Sequence, residues 1–178
     1  MRAFVALPME KEALAALIAA QAPLPFGKPV PEENLHLTLA YLGEVDGSVL
    51  EVLHDLLSSA RFPAPEIAFG NLGTFAEMER GLVFAEVQQN DTLSALQAKV
   101  AQAARQAGAD LPRRRFRPHV TLMRANRQPK GPERDRLAHA LGHSFAIPGF
   151  TARRMSLYQS TLTPHGAVHE VMADYPLG

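Results

Sequence analysis

The sequence predicts an α+β fold of two pseudo-symmetric lobes, each a mainly antiparallel sheet with helices on the outside, facing each other across a central cleft. Three observations lead there. A His-apolar-Thr-apolar segment occurs twice, as His36-Leu37-Thr38-Leu39 and as His119-Val120-Thr121-Leu122. Each copy closes the same succession of a short apolar strand, a helix and an irregular connection, opened by Phe4-Val5-Ala6-Leu7 in one case and by Val83-Phe84-Ala85-Glu86-Val87 in the other. The two motifs lie almost half a chain apart, so two such units fill most of the 178 residues. The expected organisation is one two-lobed domain over residues 1–178, with one motif per repeated strand-helix unit.

Taken in order, Phe4 to Leu7 reads as a strand stopped by Pro8. Met9 to Ala20 follows as a helix, with Leu14, Leu17 and Ile18 at helical spacing and Glu10 and Glu12 where the dipole favours negative charge. Pro23, Pro25, Pro29 and Pro31 mark an irregular connection to the first motif strand, Leu35 to Leu42, ended by Gly43. Val49, Val52, Leu53, Leu56 and Leu57 predict a helix over Ser48 to Ser59. Ile67–Phe69 and Leu82–Val87 read as strands joined through a glycine-bearing hairpin with Gly70, Gly73 and Gly81. A helix over Thr92 to Gln106 has Asn90 or Asp91 as its cap and Gly108 as its stop. The second motif strand runs from Pro118 to Met123, a helix spans Pro132 to Leu141 before Gly142, and Thr163-Pro164-His165-Gly166 turns between strands Arg153–Ser160 and Ala167–Met172.

Lysine plus arginine balances aspartate plus glutamate at 18 each, so the chain as a whole is no polyanion binder. The charge is nevertheless local. Arg113, Arg114, Arg115 and Arg117 precede the second motif, and Arg124 and Arg127 follow it. A lone arginine run reads as a solvated face; beside the motif it becomes a candidate contact for a phosphate backbone. There are no cysteines, which excludes disulfides, thiolate catalysis and cysteine-type zinc sites. The first residues are too short an apolar stretch for a signal peptide and no segment reaches the apolar length of a membrane span, so a cytoplasmic protein without a membrane partner is expected.

In a strand, side chains at i and i+2 share a face. His36 therefore stands beside Thr38, and His119 beside Thr121, each pair backed by apolar neighbours. Two such strands lining one cleft surround a small volume with two imidazoles and two hydroxyls, equipment for holding a phosphate and moving protons on both sides of it. An unperturbed imidazole pKa of about 6.5 lets one copy be neutral and the other charged near neutral pH. Neither motif contains a carboxylate, and no His-Glu-x-x-His pattern is present, so no metal and no cofactor is expected. A zinc site on His36, His119 and a third ligand, and two merely structural strand histidines, stand as the competing readings. His54, His139, His143, His165 and His169 have no threonine at i+2 and are expected to be surface or structural groups.

Asn34-Leu35-His36-Leu37-Thr38-Leu39-Ala40-Tyr41-Leu42-Gly43 and Phe116-Arg117-Pro118-His119-Val120-Thr121-Leu122-Met123-Arg124 resemble the two signatures of the two-histidine phosphoesterase superfamily. Arg2-Ala3-Phe4-Val5-Ala6-Leu7 and Ser156-Leu157-Tyr158-Gln159-Ser160 also resemble family elements, so the similarity touches nearly the whole chain. The branch it looks most like is the bacterial-type RNA 2′,3′-cyclic phosphodiesterase, or 2′-5′ RNA ligase. Arg115 departs from the family pattern, where close relatives often carry a proline.

The resemblance implies metal-independent hydrolysis of RNA 2′,3′-cyclic phosphate ends to 2′-phosphates, with reversible 2′-5′ RNA ligation as an associated activity. It implies His36 as proton donor to the departing 3′ oxygen, His119 as proton acceptor from water, and Thr38 and Thr121 as donors to the non-bridging phosphate oxygens. Arg124 is a candidate for stabilising charge at the phosphate. Phe75 and Tyr158 read equally as base-stacking groups or as core. The implied partner is RNA with a cyclic phosphate end, with tRNA fragments and small cyclic nucleotides both open, acted on by a monomer. The alternative is an RNA- or nucleotide-binding module on the same fold without relevant catalysis.

Overall fold

Alternating and continuous apolar runs become strands, and the 3.6-residue pattern becomes helices, in the order β1 (Arg2–Pro8), α1 (Lys11–Gln21), β2 (Lys28–Pro29), a 3-10 turn (Glu32–Asn34), β3 (His36–Glu44), α2 (Gly47–Ser59), β4 (Glu66–Ile67), β5 (Phe69–Thr74), β6 (Leu82–Val87), α3 (Asp91–Gln106), β7 (His119–Arg124), α4 (Pro132–Leu141), β8 (Phe150–Thr151), β9 (Arg154–Thr163) and β10 (Gly166–Pro176). The structure is a computed structural model and describes residues 1–75 and 81–178. The turn expected between β5 and β6 falls largely outside the described residues.

One antiparallel sheet runs in the order β10-β9-β1-β3-β7-β6-β5, with β2 added on β7. The expected antiparallel, α+β architecture is therefore present, and its two halves meet at a seam. β10-β9-β1-β3 forms one half-sheet and β7-β6-β5 the other. Among the described residues they are joined by a single registered pair, Leu37 with Val120. Both strand-helix-strand units place their two strands side by side, β1 on β3 and β6 on β7.

The helices cross the seam. α3, from the second unit, packs under β3, while α1, from the first, packs under β7. Gln97 on α3 donates to the Leu39 carbonyl at 3.2 Å, and Gln21 on α1 donates to the Leu122 carbonyl at 3.0 Å. Leu39 and Leu122 are each three residues past a motif histidine, so the two bonds correspond under the pseudo-symmetry. Leu17, Leu37, Leu53, Leu57, Leu93, Leu96 and Leu122 are fully buried in the core between sheet and helices. No helix among the described residues is long and apolar enough to cross a membrane.

Local chemistry accounts for the boundaries. Asn90 caps α3 by accepting from the Leu93 amide at 2.8 Å, which decides between the two expected caps. α4 begins with a proline at its first position and stops at Gly142, as its sequence requires. Gly43 does not end its strand. It pairs with Ala3 at a register shift, at φ +68, a conformation glycine tolerates within a bulge. β9 and β10 run further than expected because a register shift between Val171 and Ala173 breaks the two-residue alternation while pairing continues to Pro176. β2, β4 and β8 carry two residues each, too short for any periodicity, and β4 and β8 pair with each other as a separate two-stranded sheet.

Candidate active site

The seam sets the geometry of the two motifs. Leu37 and Val120 are wholly buried, as is Leu122, and Leu39 is nearly so, while His36, Thr38, His119 and Thr121 are half-buried on the other face. The face alternation expected from the sequence is thus present in both strands. Continuing the antiparallel Leu37–Val120 register by one residue each way sets His36 opposite Thr121 and Thr38 opposite His119. The histidines then occupy a diagonal, where residues of an antiparallel pair stand about 7–8 Å apart. On that register the other diagonal of the frame is occupied by Thr38 and Thr121.

A backbone carbonyl two residues upstream bears on each imidazole. His119 Nδ1 donates to the Arg117 carbonyl at 2.7 Å, which leaves its Nε2 to accept a proton. The Asn34 carbonyl acts in the same sense on His36. Proton affinities are low at both. Burial above all pushes His36 down to about 4, and His169, Arg124 and His119 push the same way against the Asn34 carbonyl. Burial also lowers His119, with Arg124 and Arg117 adding to it against the Arg117 carbonyl. The sequence suggested one charged and one neutral imidazole. Desolvation instead lowers the proton affinity of both, and an anion between them would act in the opposite sense.

Arg124 ends β7, and its charge bears on His36, His119 and His169 together. Beside His119 opens a cavity of about 750 Å³ lined by Gly73, Phe75, Phe84, Glu86, Arg115 and Arg117 among others. Phe75 stacks on Phe84 with centroids 4.3 Å apart, and the Arg117 guanidinium covers Phe75 at 4.5 Å. Both rings turn toward the edge of His119, at 5.0 and 5.4 Å. Phe75 thus lies at the cleft. Tyr158 is buried and stacked on Phe4.

Of the arginine group, Arg113 and Arg114 are exposed on the connection before β7, and Arg115 and Arg117 reach the cavity. Arg127 is engaged elsewhere: both its terminal nitrogens donate to Glu133, and its guanidinium lies 5.3 Å from the Phe26 ring. Adjacency in sequence placed it with the others; its partner on α4 draws it away.

Two of the remaining histidines make local contacts away from the motifs. His54 bonds the Tyr175 hydroxyl at 2.9 Å, and His143 donates to the His139 carbonyl at 2.9 Å. His169 is different. It is expected to be a surface or structural group with no link to the motifs, yet its ring lies 5.5 Å from His36 and 4.8 Å from Phe4. Nothing local in Ala167-Val168-His169-Glu170 signals this, because the contact depends on the β9–β10 hairpin reaching over to the first motif. Among the described residues, no group of three or more His, Asp or Glu is arranged to hold a metal ion.

Comparison with known proteins gives a consistent result. Residues 10–163 match the family model described as the 2′-5′ RNA ligase superfamily. An RNA 2′,3′-cyclic phosphodiesterase of Thermus thermophilus is 33% identical over 99% of this chain and 90% of its own length. One of Geobacillus stearothermophilus is 32% identical over 98% of this chain, which spans 56% of that longer protein. Among solved structures, a Thermus thermophilus protein superposes with a TM-score of 0.83 at 26% identity, covering 99% of this chain and 98% of that one. LigT of E. coli shares the fold, with a TM-score of 0.78 at 24% identity over 99% and 96% of the two chains.

Proposed function

The chain belongs to the 2′-5′ RNA ligase superfamily, and from that premise we propose that it hydrolyses RNA 2′,3′-cyclic phosphate ends to 2′-phosphates by acid–base chemistry between two imidazoles. The observation that carries the reading is the seam register, which sets His36 and His119 on one diagonal of a four-residue frame and Thr38 and Thr121 on the other.

His119, neutral and with its Nδ1 hydrogen committed to the Arg117 carbonyl, takes a proton from water. The water oxygen bonds to phosphorus, the bond from phosphorus to O3′ breaks, and His36 delivers its proton to O3′. A 2′-phosphate and a free 3′ hydroxyl result. Thr38 and Thr121 donate to the non-bridging oxygens as charge builds on them, and Arg124 adds a cation at the same point. A 5′ hydroxyl in place of water gives a 2′-5′ phosphodiester by the same bond changes, so ligation is hydrolysis with a different nucleophile. Burial lowers the proton affinity of His36, so its acid role requires that the phosphate anion raise that affinity and that His36 take a proton from solvent as the substrate binds. The exposed Arg113 and Arg114 are suited to the RNA body. In this reading the protein acts as a monomer on RNA ends in the cytoplasm, where a cysteine-free chain is at no disadvantage.

The test is incubation with an RNA ending in a 2′,3′-cyclic phosphate, with and without chelator, followed by phosphorus NMR of the product. Chelator-insensitive formation of a 2′-phosphate is expected. A 3′-phosphate would exchange the roles of His36 and His119. No ring opening across RNA and cyclic nucleotide substrates would replace the enzyme with a binding module.

A further inference from the structure

The His36 ring sits in an aromatic enclosure that His119 does not share. Phe4 stacks on it with centroids 4.7 Å apart at 24°, and Tyr158 stacks on Phe4 at 4.9 Å and 12°. His169 sets its edge against both, 78° from the plane of Phe4 and 74° from that of His36. It comes from β10, the far strand of the sheet, carried inward by the β9–β10 hairpin. The hairpin is fastened at two points: Asn34 Nδ2 donates to the Ala167 carbonyl at 2.8 Å, and Lys28 Nζ to the His165 carbonyl at 3.3 Å. Asn34 therefore holds the hairpin with its side chain while its carbonyl acts on the His36 ring.

His169 meets both rings through its edge, and its Nδ1 makes no side-chain hydrogen bond to either.

We propose that His169 is a positioning residue for His36: seated by the Asn34-anchored hairpin, it closes the enclosure round the His36 ring, holds that ring in the orientation that proton transfer to the leaving oxygen requires, and makes the two ends of a near-symmetric cleft unequal. The inference rests on the reading of His36 as a proton-transfer group. The groups facing His36 are His169 from β10, Tyr158 from β9, and Arg124 and His119 from β7. Of these, His169 is the one that reaches His36 only through the hairpin. It excludes water from the ring and opposes a second positive charge beside it, which agrees with the low proton affinity of His36.

The test compares H169A and H169F with the wild type in two readouts, turnover of RNA 2′,3′-cyclic phosphate ends across pH and NMR titration of the His36 ring in the free protein. H169A is expected to lower kcat about tenfold through misorientation, with KM within about twofold. H169F, which restores the edge without the nitrogen, is expected to recover most of kcat. The His36 titration midpoint should rise in both variants, more in H169A, and the acid limb of kcat/KM should move with it. An unchanged kcat with an unmoved His36 midpoint in H169A overturns the proposal. So does H169F as slow as H169A with a raised KM, since the imidazole would then be touching the RNA itself. If H169A fails to fold, H169F still reports the midpoint. If the wild type opens no ring, the functional reading falls and the NMR titration alone decides: a raised midpoint supports the positioning role and an unmoved one overturns it.

Discussion

Leu37 and Val120 pair across the seam between the two half-sheets, and neither side chain is exposed at all. This one pairing determines the spacing of everything on the opposite face. A shift of register by one residue would turn every motif side chain over, sending His36 and Thr38 into the core and Leu37 into the cleft. The burial of Leu37 and Val120 between the crossing helices therefore protects the register of the site as well as the stability of the fold.

His36→Ala and His119→Ala are each expected to lower turnover by about a hundredfold or more. The double variant should lose far less than the product of the two, because acid and base act on one transition state. Single-turnover assays on a cyclic-phosphate RNA decide it; near-normal turnover in either single variant removes that residue from the mechanism.

Substrate binding should draw a proton into the cleft. His36 lies at about 4 in the free protein, and a nearby anion favours its charged form. Between those two conditions, around neutral pH, binding takes up protons and affinity falls as pH rises. A 2′,3′-cyclic nucleotide bears one negative charge that does not titrate there, so the effect belongs to the protein. Calorimetry on the slow His119→Ala variant, in buffers of differing ionisation enthalpy, should show net uptake. Binding independent of pH and without uptake would remove the acid role from His36.

The same depressed value makes His36 an acid-sensitive element of the fold. Its proton affinity is ordinary when unfolded, about 6.5, and about 4 when folded. The unfolded chain therefore binds the proton first. The contribution is complete above pH 6.5 and is lost as pH falls toward 4, where the loss amounts to about 3 kcal/mol. His119 and His169, both lowered, act in the same direction. Urea midpoints between pH 7 and 4 should fall more steeply for the wild type than for His36→Gln, and equal slopes would contradict the assignment.

The arginines should divide into two kinds. Neutralising the exposed Arg113 and Arg114 is expected to weaken RNA binding and to flatten its salt dependence, by about 0.7 in slope for each phosphate of a single strand that is no longer neutralised. Turnover at saturation should change little. Arg124→Ala should instead lower kcat, by about a hundredfold if it meets charge that develops at the phosphate. Salt titrations of binding, set beside saturating kinetics, separate the two. A pure KM effect at Arg124 would move it to the binding surface.

Much of this protein is legible without coordinates, for a physical reason that differs by element. The faces of β3 and β7 follow from the period of two, so the pairing of His36 with Thr38 and of His119 with Thr121 is a property of the chain itself. The repeat of strand, helix and motif, α4 from Pro132 to Gly142, and the Asn90 cap rest on similarly local rules. Tertiary structure alone decided the rest. Leu37 meets Val120 because α1 and α3 cross beneath each other's motif strands, a relation between segments most of a hundred residues apart that no local pattern encodes. Burial by neighbours from β1, β9 and β10, and not the identity of the residue, takes His36 down to about 4. Arg127 turns to Glu133 on α4 instead of joining the arginines beside it in sequence. His169, with nothing around it to mark it, stands against His36 because the hairpin that carries it is tied down at Asn34. Periodicity and capping act over a few residues and can be read along the chain, whereas desolvation and cross-strand contact depend on which distant segments close over a group.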